Sequence, residues 1–112
     1  MKKIFSNKLV LHIPDAAWID NKLENIDSEI FLETICKKLM GIDVNSWYVT
    51  SVTGYYKGRK FDEKLLTVFC GTTVEYAIID IFEETYKELN DVMHQESFAY
   101  ELNGILCVVD LY

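Results

Sequence analysis

The side chains best suited to nucleophilic or acid–base chemistry in this sequence are two histidines and three cysteines: His12, His94, Cys36, Cys70 and Cys107. Cys70 is the best placed of the cysteines, because Gly71 and the predicted start of a helix follow it and a helix N-terminus favours the thiolate. A nucleophilic cysteine also needs a base, and folding would have to bring His12 close to supply it. Apolar residues precede Cys70, so the pattern favours a packed, structural thiol over a nucleophile.

His12 lies within an apolar run, Leu9–Ile13, that alternates as a strand does. If the odd-numbered residues of this run face the core, His12 lies on the opposite face of the sheet together with Val10. There it would serve as a pocket histidine or as a pH-sensitive interface residue, or it would be a half-exposed strand residue without a role. We take His12 as a predicted ligand-binding residue.

A second candidate is the segment 55–60, which combines two tyrosines with three basic residues. Tyr55, Tyr56 and Arg59 are residue types favoured in recognition, and a guanidinium suits a carboxylate or a phosphate. Two acidic residues follow closely and would neutralise this charge, in which case the segment is a solvated hairpin tip. These three residues join His12 as predicted ligand-binding residues.

The sequence predicts no metal site and no catalytic motif. Its histidines and cysteines have neither C-x-x-C nor H-x-x-x-H spacing. A glycine-rich phosphate loop and a G-x-S-x-G elbow are also missing from the sequence. We therefore predict no catalytic residue and no cofactor.

The composition is that of a folded, acidic protein. Its 112 residues include 18 acidic and 11 basic side chains, for a net charge of −7, and half of them are apolar. A chain of this length fits a single domain, 1–112. The negative charge argues against general binding to nucleic acid or to anionic membranes. Cysteines without a close pair fit a reducing compartment, and no apolar run reaches about 18 residues, so we predict a cytoplasmic location without a membrane span.

In the first half of the chain, the patterns predict a strand and a helix. The strand is Leu9–Ile13, ended by Pro14. Residues 15–26 read as a short helix or a packed connecting loop. Asp27 is a helix N-cap, and the helix that follows has a stripe of apolar residues and ends at a left-handed Gly41; the stripe is Phe31, Ile35 and Leu39.

In the second half, two strands, a helix and a hairpin follow. The strands Trp47–Tyr56 and Leu65–Cys70 are joined by a long polar loop. Thr72 and Glu75 match a capping box at the start of the second helix. Asn-Gly at 103–104 predicts a tight turn between two final strands, because both residues accept positive φ; these strands are Ser97–Leu102 and Ile105–Leu111.

The predicted order is β-α-β-β-α-β-β, an α+β fold. Without its last strand this is the ferredoxin-like plan, a two-layer sandwich with two helices on one face of a largely antiparallel sheet. The other face of the sheet is then open. Both faces of the strands Leu65–Cys70 and Ile105–Leu111 are apolar, so we expect a second copy of the chain to cover the open face.

Three stretches resemble a family of small bacterial α+β proteins of unknown function. They are Thr53-Gly54-Tyr55-Tyr56-Lys57-Gly58, Glu63-Lys64-Leu65-Leu66-Thr67-Val68 and Gln95-Glu96-Ser97-Phe98. The resemblance spans roughly residues 47–109. It implies a ferredoxin-like α+β fold and assigns no catalytic residue.

The leading functional hypothesis is a non-catalytic binding or regulatory module that works as a homo-oligomer, with a small molecule or a protein as its further partner. One alternative is a small-molecule enzyme with its pocket on the open sheet face, using His12 or Cys70. Another is an acidic inhibitor of a nucleic-acid-binding protein, which would use the acidic outer face of the second helix. That face carries Asp80, Glu83, Glu84 and Glu88.

Overall fold

The computed structural model describes residues 2–112, which form seven strands and three helices. The α+β class with a largely antiparallel sheet is confirmed. Within these residues, no helix has the length and apolar character needed to cross a membrane. The strands are β1 (Asn7–Pro14), β2 (Ala16–Ile19), β3 (Lys22–Asn25), β4 (Trp47–Tyr56), β5 (Arg59–Cys70), β6 (Ser97–Leu102) and β7 (Ile105–Asp110). The helices are α1 (Ser28–Gly41), α2 (Glu75–Glu88) and α3 (Asn90–Met93).

Five strands form the main sheet, in the order β4-β5-β1-β6-β7. Every neighbouring pair in it is antiparallel. Strand β1 is the middle strand, and its Leu11 pairs with Leu66 of β5 on one side and with Tyr100 of β6 on the other. Strands β2 and β3 form a separate hairpin.

The core lies between this sheet and helices α1 and α2. Leu9, Leu11 and Ile13 of β1 are fully buried there, and they pack in one cluster with residues of both helices, such as Ile35 and Phe82. Because side chains alternate along a strand, the even-numbered residues of β1 lie on the opposite side of the sheet. We call that side the open face. It carries His12, as the alternation predicted.

Helix α1 begins and packs as predicted, but it ends differently. The Asp27 side chain caps it by accepting a hydrogen bond from the backbone N–H of Glu29, 3.1 Å away. Gly41 is the last helical residue and does not have a positive φ; Asp43 takes up the left-handed conformation instead, with φ of 59°. Aspartate tolerates this conformation because its short polar side chain bonds locally. The prediction for Gly41 was therefore wrong.

The capping box predicted for the second helix does not form. Helix α2 starts at Glu75, and its N-cap residue is Val74, which makes no side-chain capping bond. Thr73 has a φ of 81°, which turns the chain before the helix. The Glu75 carboxylate accepts a hydrogen bond from the amide of Asn7 on β1, 3.1 Å away. A carboxylate in this first turn is still favourable, because it faces the positive end of the helix dipole.

Residues 15–26 form neither a helix nor a loop, as the sequence had suggested, but mainly the β2–β3 hairpin. Its two turn residues, Asp20 and Asn21, have φ of 50° and 63°. Positive φ at both turn residues matches the twist of the flanking strands, and Asp and Asn accept it more readily than other non-glycine residues. The turn lacks the glycine that usually signals such a hairpin.

The long loop predicted between β4 and β5 is also wrong. The two strands pair up to Tyr56 and Arg59, and Lys57 and Gly58 alone make the turn, with φ of 49° and 77°. The polar segment that follows belongs to β5, and each face of the strand there carries both acidic and basic side chains. The predicted Asn-Gly turn is confirmed, since residues 103 and 104 have φ of 51° and 85°.

Valine substitutions at the two hairpin glycines should be about equally destabilising. Gly58 and Gly104 both need a positive φ, which is severely strained for a β-branched residue. We expect Gly58→Val and Gly104→Val each to lower the free energy of unfolding by about 1–3 kcal/mol in urea titrations. Gly41→Ala is the control, because that residue is helical with open space around it and alanine should be neutral or stabilising. A loss confined to Gly104→Val would mean that the β4–β5 turn is looser than described.

Candidate functional site

The open face carries a cluster of one histidine between two carboxylates. The Nδ1 atom of His12 lies 2.9 Å from Oε1 of Glu63, and its Nε2 atom lies 2.8 Å from Oε2 of Glu101. The three side chains are 27%, 15% and 32% exposed, in that order. We call this group the carboxylate–histidine cluster. The cluster is half-buried, so it is accessible to solvent, but water weakens its ion pairs less than it would on a fully exposed surface.

The sheet register produces this cluster. On β5, the residue opposite His12 is Leu65, and Glu63 lies two positions away on the same face, opposite Pro14. On β6, Glu101 pairs with Val10, the other neighbour of His12 on the open face. Each carboxylate is therefore a diagonal neighbour of His12 across one of its two flanking strands, within reach of its ring.

Both ring nitrogens of His12 face carboxylate oxygens, so both must donate a hydrogen bond. Only the protonated imidazolium can do this. The hydrogen bond with Glu63 is the largest influence that raises the pKa of His12; partial burial opposes it, and Glu101 raises the pKa further, so the result lies above the ordinary value of 6.5. Two carboxylates and one imidazolium leave the cluster with one net negative charge.

The stability of the protein should fall with rising pH because of His12. The pKa of His12 is raised in the folded protein, so its contribution is fully present below about pH 6.5 and is lost as pH rises through the folded-state value. We expect His12→Gln to cost about 2 kcal/mol at about pH 6 and clearly less at about pH 9, measured by urea unfolding. The exposed His94 offers the control variant His94→Gln. An equal loss at both pH values would mean that His12 is neutral in the folded protein.

A buried tyrosine fixes the backbone of His12 from the helix side. The hydroxyl of Tyr86 on α2 donates a hydrogen bond to the His12 carbonyl oxygen, 2.7 Å away. The β1–β6 pairing ends at Leu11 and Tyr100, so the Tyr86 hydroxyl supplies a hydrogen bond to the His12 carbonyl just beyond the last paired residue. Tyr86 is fully buried, and burial raises the pKa of its hydroxyl, which keeps it a donor.

Cys70 does not meet His12. Strand β5 places Cys70 opposite Asn7, at the other end of β1, and its side chain belongs to the helix-side core. Its residue is 3% exposed, and burial raises the pKa of the thiol, with the nearby Glu75 adding to the effect. These surroundings disfavour the thiolate, so the predicted Cys70–His12 pair is not formed.

Cys70 should react slowly with a neutral alkylating reagent in the folded protein. Burial and the raised pKa both reduce the thiolate that such a reagent needs. Mass spectrometry of the alkylated protein should show Cys107, which is only partly buried, modified well before Cys70. Denaturant should remove the difference. Rapid labelling of Cys70 near neutral pH would instead indicate an activated thiol.

The predicted residues of the β4–β5 hairpin are divided between the two faces of the sheet. Arg59 is on the same face of β5 as Glu63, because the two residues are four positions apart, and its pairing partner Tyr56 is therefore also on the open face. The neighbouring Tyr55 lies on the helix side and is 71% exposed. The Arg59 guanidinium lies 5.0 Å from the ring centre of Trp18 on β2, a cation–π contact. Tyr56 and Arg59 therefore approach one region, and Tyr55 does not.

That region is a cleft of about 590 Å3 beside the carboxylate–histidine cluster. Its walls include three aromatic side chains, and we call it the aromatic cleft. Pro14, the pairing partner of Glu63, forms part of its lining, so the cleft begins directly beyond the cluster. The lining consists of Pro14, Ala16, Ala17, Trp18, Leu23, Tyr56, Phe61, His94, Gln95, Glu96, Ser97 and Val108.

The chain matches no protein-family model and no curated protein sequence. Among solved structures it is similar to a phage SAM lyase in complex with S-methyl-5′-thioadenosine, with a TM-score of 0.62 at 14% identity, over 98% of this chain and 95% of that one. It is also similar to a phage SAM lyase in the apo state, with a TM-score of 0.56 at 16% identity, over 98% and 94% of the two chains. At these identities the likeness is one of fold.

Sequence reasoning found His12 but missed its partners. Glu63 stood in a polar segment that read as a loop, and Glu101 looked like an ordinary charged strand residue. One signal was available for Glu101, which is the single acidic residue in the strand run Ser97–Leu102; Glu63, beside Asp62 in a charged segment, had none. Within residues 2–112, the acidic, histidine and cysteine side chains do not form a group of three or more suited to a metal ion.

Proposed function

We propose that the chain is a small-molecule enzyme that cleaves SAM (S-adenosylmethionine) to S-methyl-5′-thioadenosine at the open sheet face. The observation that carries this proposal is the pair of carboxylates held on both sides of one imidazolium, in a fold shared with a phage SAM lyase. This was the alternative of the sequence analysis. It becomes the leading proposal because His12, which had no partner in the sequence, has two acidic ones in the fold.

The charge of the cluster suits a cationic substrate. SAM is a sulfonium, and the cluster carries one net negative charge on a half-buried surface, where screening by water is weaker than in bulk. The net charge of −7 on the whole chain adds a long-range attraction for cations. A neutral thioether product is held less tightly than the sulfonium, which favours its release.

Cleavage breaks the bond between sulfur and the aminocarboxypropyl chain, and both electrons of that bond go to sulfur. As that bond breaks, either a carboxylate of the cluster takes a proton from the neighbouring carbon, giving an alkene, or the substrate's own carboxylate attacks the carbon that sulfur leaves, giving a lactone. Attraction to the sulfonium alone binds substrate without accelerating the reaction, because that charge disappears in the transition state. Rate acceleration therefore comes from a carboxylate acting as base or from the orientation that the cluster imposes.

The test is to incubate the protein with SAM and to quantify S-methyl-5′-thioadenosine by liquid chromatography. Sulfonium compounds also decompose without a catalyst, so the rate is compared with that in protein-free buffer. We expect a rate proportional to protein concentration, and NMR of the second product separates the alkene from the lactone. A rate equal to that of buffer would overturn the proposal.

A non-catalytic, oligomeric binding module is the second candidate. It is supported by exposed apolar side chains on the open face: Tyr48 is 49% exposed, and Leu106 and Val108 are 59% and 64% exposed. A second copy covering these residues would remove apolar surface from water. Light scattering should then give a mass above the 13.0 kDa monomer at micromolar concentration. A monomer mass over a broad concentration range would contradict it.

The acidic-inhibitor hypothesis has weaker support. On the outer face of α2, Glu88 lies 2.6 Å from Lys38 of α1, and Glu83 lies 3.8 Å from Lys87. These pairs neutralise part of the acidic surface that a basic partner would recognise.

We also propose that the fold follows the ferredoxin-like plan with additions. The elements β1, α1, β4, β5, α2 and β6 occur in the required β-α-β-β-α-β order, and their strands lie side by side as β4-β5-β1-β6. Strand β7 extends one edge of the sheet. The β2–β3 hairpin is an insertion before α1.

A further inference from the structure

The aromatic cleft lies where the base of a nucleoside would extend from the carboxylate–histidine cluster. His12 and Pro14 are two residues apart on the same face of β1, which places the cleft wall about 7 Å from the cluster. Phe61 is likewise two residues from Glu63 on β5 and lines the same cleft. A ribose ring bridges such a distance.

The walls of the cleft are held in place. Trp18 is braced by the Arg59 guanidinium, 5.0 Å from its ring centre. The β2–β3 hairpin that carries Trp18 is anchored at its start, where the Lys64 ammonium lies 2.6 Å from Oδ1 of Asp15. At its end, the backbone N–H of Ile26 donates to the Asp15 carbonyl oxygen, at 3.0 Å. The Trp18 side chain, which is 50% exposed, is therefore partly ordered before a ligand binds, which lowers the entropic cost of binding.

A glycine on β4 makes room for the second wall. Gly54 pairs with Phe61, and a β-carbon at position 54 would lie 2.8 Å from the Phe61 ring. The ring therefore lies over the backbone of Gly54. The third ring, Tyr56, is on the same face of β4 and is 61% exposed.

We propose that this aromatic cleft binds the adenine ring of a nucleoside sulfonium, with the sulfonium beside Glu63 and Glu101. This inference rests on the proposed function, and it assigns the selectivity for a nucleoside substrate to the aromatic cleft. Flat aromatic walls bind a purine through stacking, and the lining also holds the Ser97 hydroxyl and the Gln95 amide, whose Nε2 donates to the Met93 carbonyl while its oxygen can accept from the amino group. The volume of about 590 Å3 is in the range of small-molecule pockets.

The test measures binding of S-methyl-5′-thioadenosine by calorimetry, which requires no turnover. We expect Trp18→Ala and Tyr56→Ala each to weaken binding about 10-fold, as the loss of one base-stacking partner does. Tyr55→Ala is the matched control, because Tyr55 neighbours Tyr56 on the opposite face of the strand. S-methylmethionine, a sulfonium without a base, should bind equally well to the wild-type and Trp18→Ala proteins.

The outcomes separate this inference from the proposed reaction. If S-methyl-5′-thioadenosine fails to bind, or binds equally well to the Trp18 and Tyr56 variants, the cleft is not a base site, even when SAM is cleaved. If it binds through these two residues while SAM is not cleaved, the base site stands and the proposed reaction falls. Circular dichroism of each variant shows whether a loss of binding reflects a loss of fold.

Discussion

Replacing Glu63 with glutamine is expected to lower the rate of S-methyl-5′-thioadenosine release from SAM at least about 100-fold. Glutamine keeps the size of the side chain and can still accept the hydrogen bond from His12 Nδ1 that Glu63 now accepts at 2.9 Å. It removes the negative charge that we propose attracts the sulfonium, and with it a carboxylate that could act as the base or orient the substrate. Chromatographic rates for the wild-type and Glu63→Gln proteins measure the effect.

The control for this experiment is Glu84→Gln, which removes one negative charge from an exposed position on α2, on the opposite side of the protein from the open face. It should leave the rate unchanged, which separates a local role from a long-range effect of net charge. Glu101→Gln should behave as Glu63→Gln does. Wild-type rates for both Glu63→Gln and Glu101→Gln would show that the carboxylate–histidine cluster takes no part in the reaction.

Replacing Tyr86 with alanine is expected to lower the free energy of unfolding by about 3–5 kcal/mol. The Tyr86 ring is fully buried between two others, with its centre 4.3 Å from that of Phe31 and 5.0 Å from that of Phe98. Its loss leaves a cavity at the junction of both helices with the sheet and removes the donor to the His12 carbonyl. Tyr86→Phe keeps the ring and should cost only about 1 kcal/mol, the contribution of the hydrogen bond.

Urea titrations of the two Tyr86 variants measure both contributions. Tyr76→Ala, on the same helix, is the control, since Tyr76 is 70% exposed and its loss should change stability by less than about 0.5 kcal/mol. If Tyr86→Ala costs no more than Tyr86→Phe, the neighbouring rings close the cavity and the hydrogen bond carries the whole effect.

The position of His12 was predictable because it depends on one strand alone. The alternation of Leu9, Leu11 and Ile13 fixes which face carries the histidine, whatever the rest of the chain does. The partners of His12 were not predictable in the same way. Glu63 and Glu101 lie 51 and 89 residues away in sequence, and their approach depends on the pairing register of two other strands.

The turns account for most of the differences in the fold. Asn103-Gly104 was recognised because its residue types are the strongest signal for a tight hairpin turn. Lys57-Gly58 and Asp20-Asn21 also have positive φ at both residues, but lysine is not a residue type that favours positive φ, and the second pair contains no glycine. Pairing of the flanking strands imposes these positive φ values, so the turn residues alone do not predict these two hairpins. Because the β2–β3 hairpin was not predicted, neither the position of Trp18 nor the aromatic cleft could be predicted.

The central position of β1 determines when the sheet can be completed during synthesis. Strand β1 leaves the ribosome before both of its partners, which are residues 63–70 of β5 and residues 100–102 of β6. The β4–β5 hairpin can close as soon as it is made, whereas β1 must wait with both edges unpaired while its apolar residues stay exposed. Long-range pairing of this kind slows folding. Until β6 emerges, residues 9–11 of β1 present an unpaired apolar edge, which is prone to pair with a strand of another molecule.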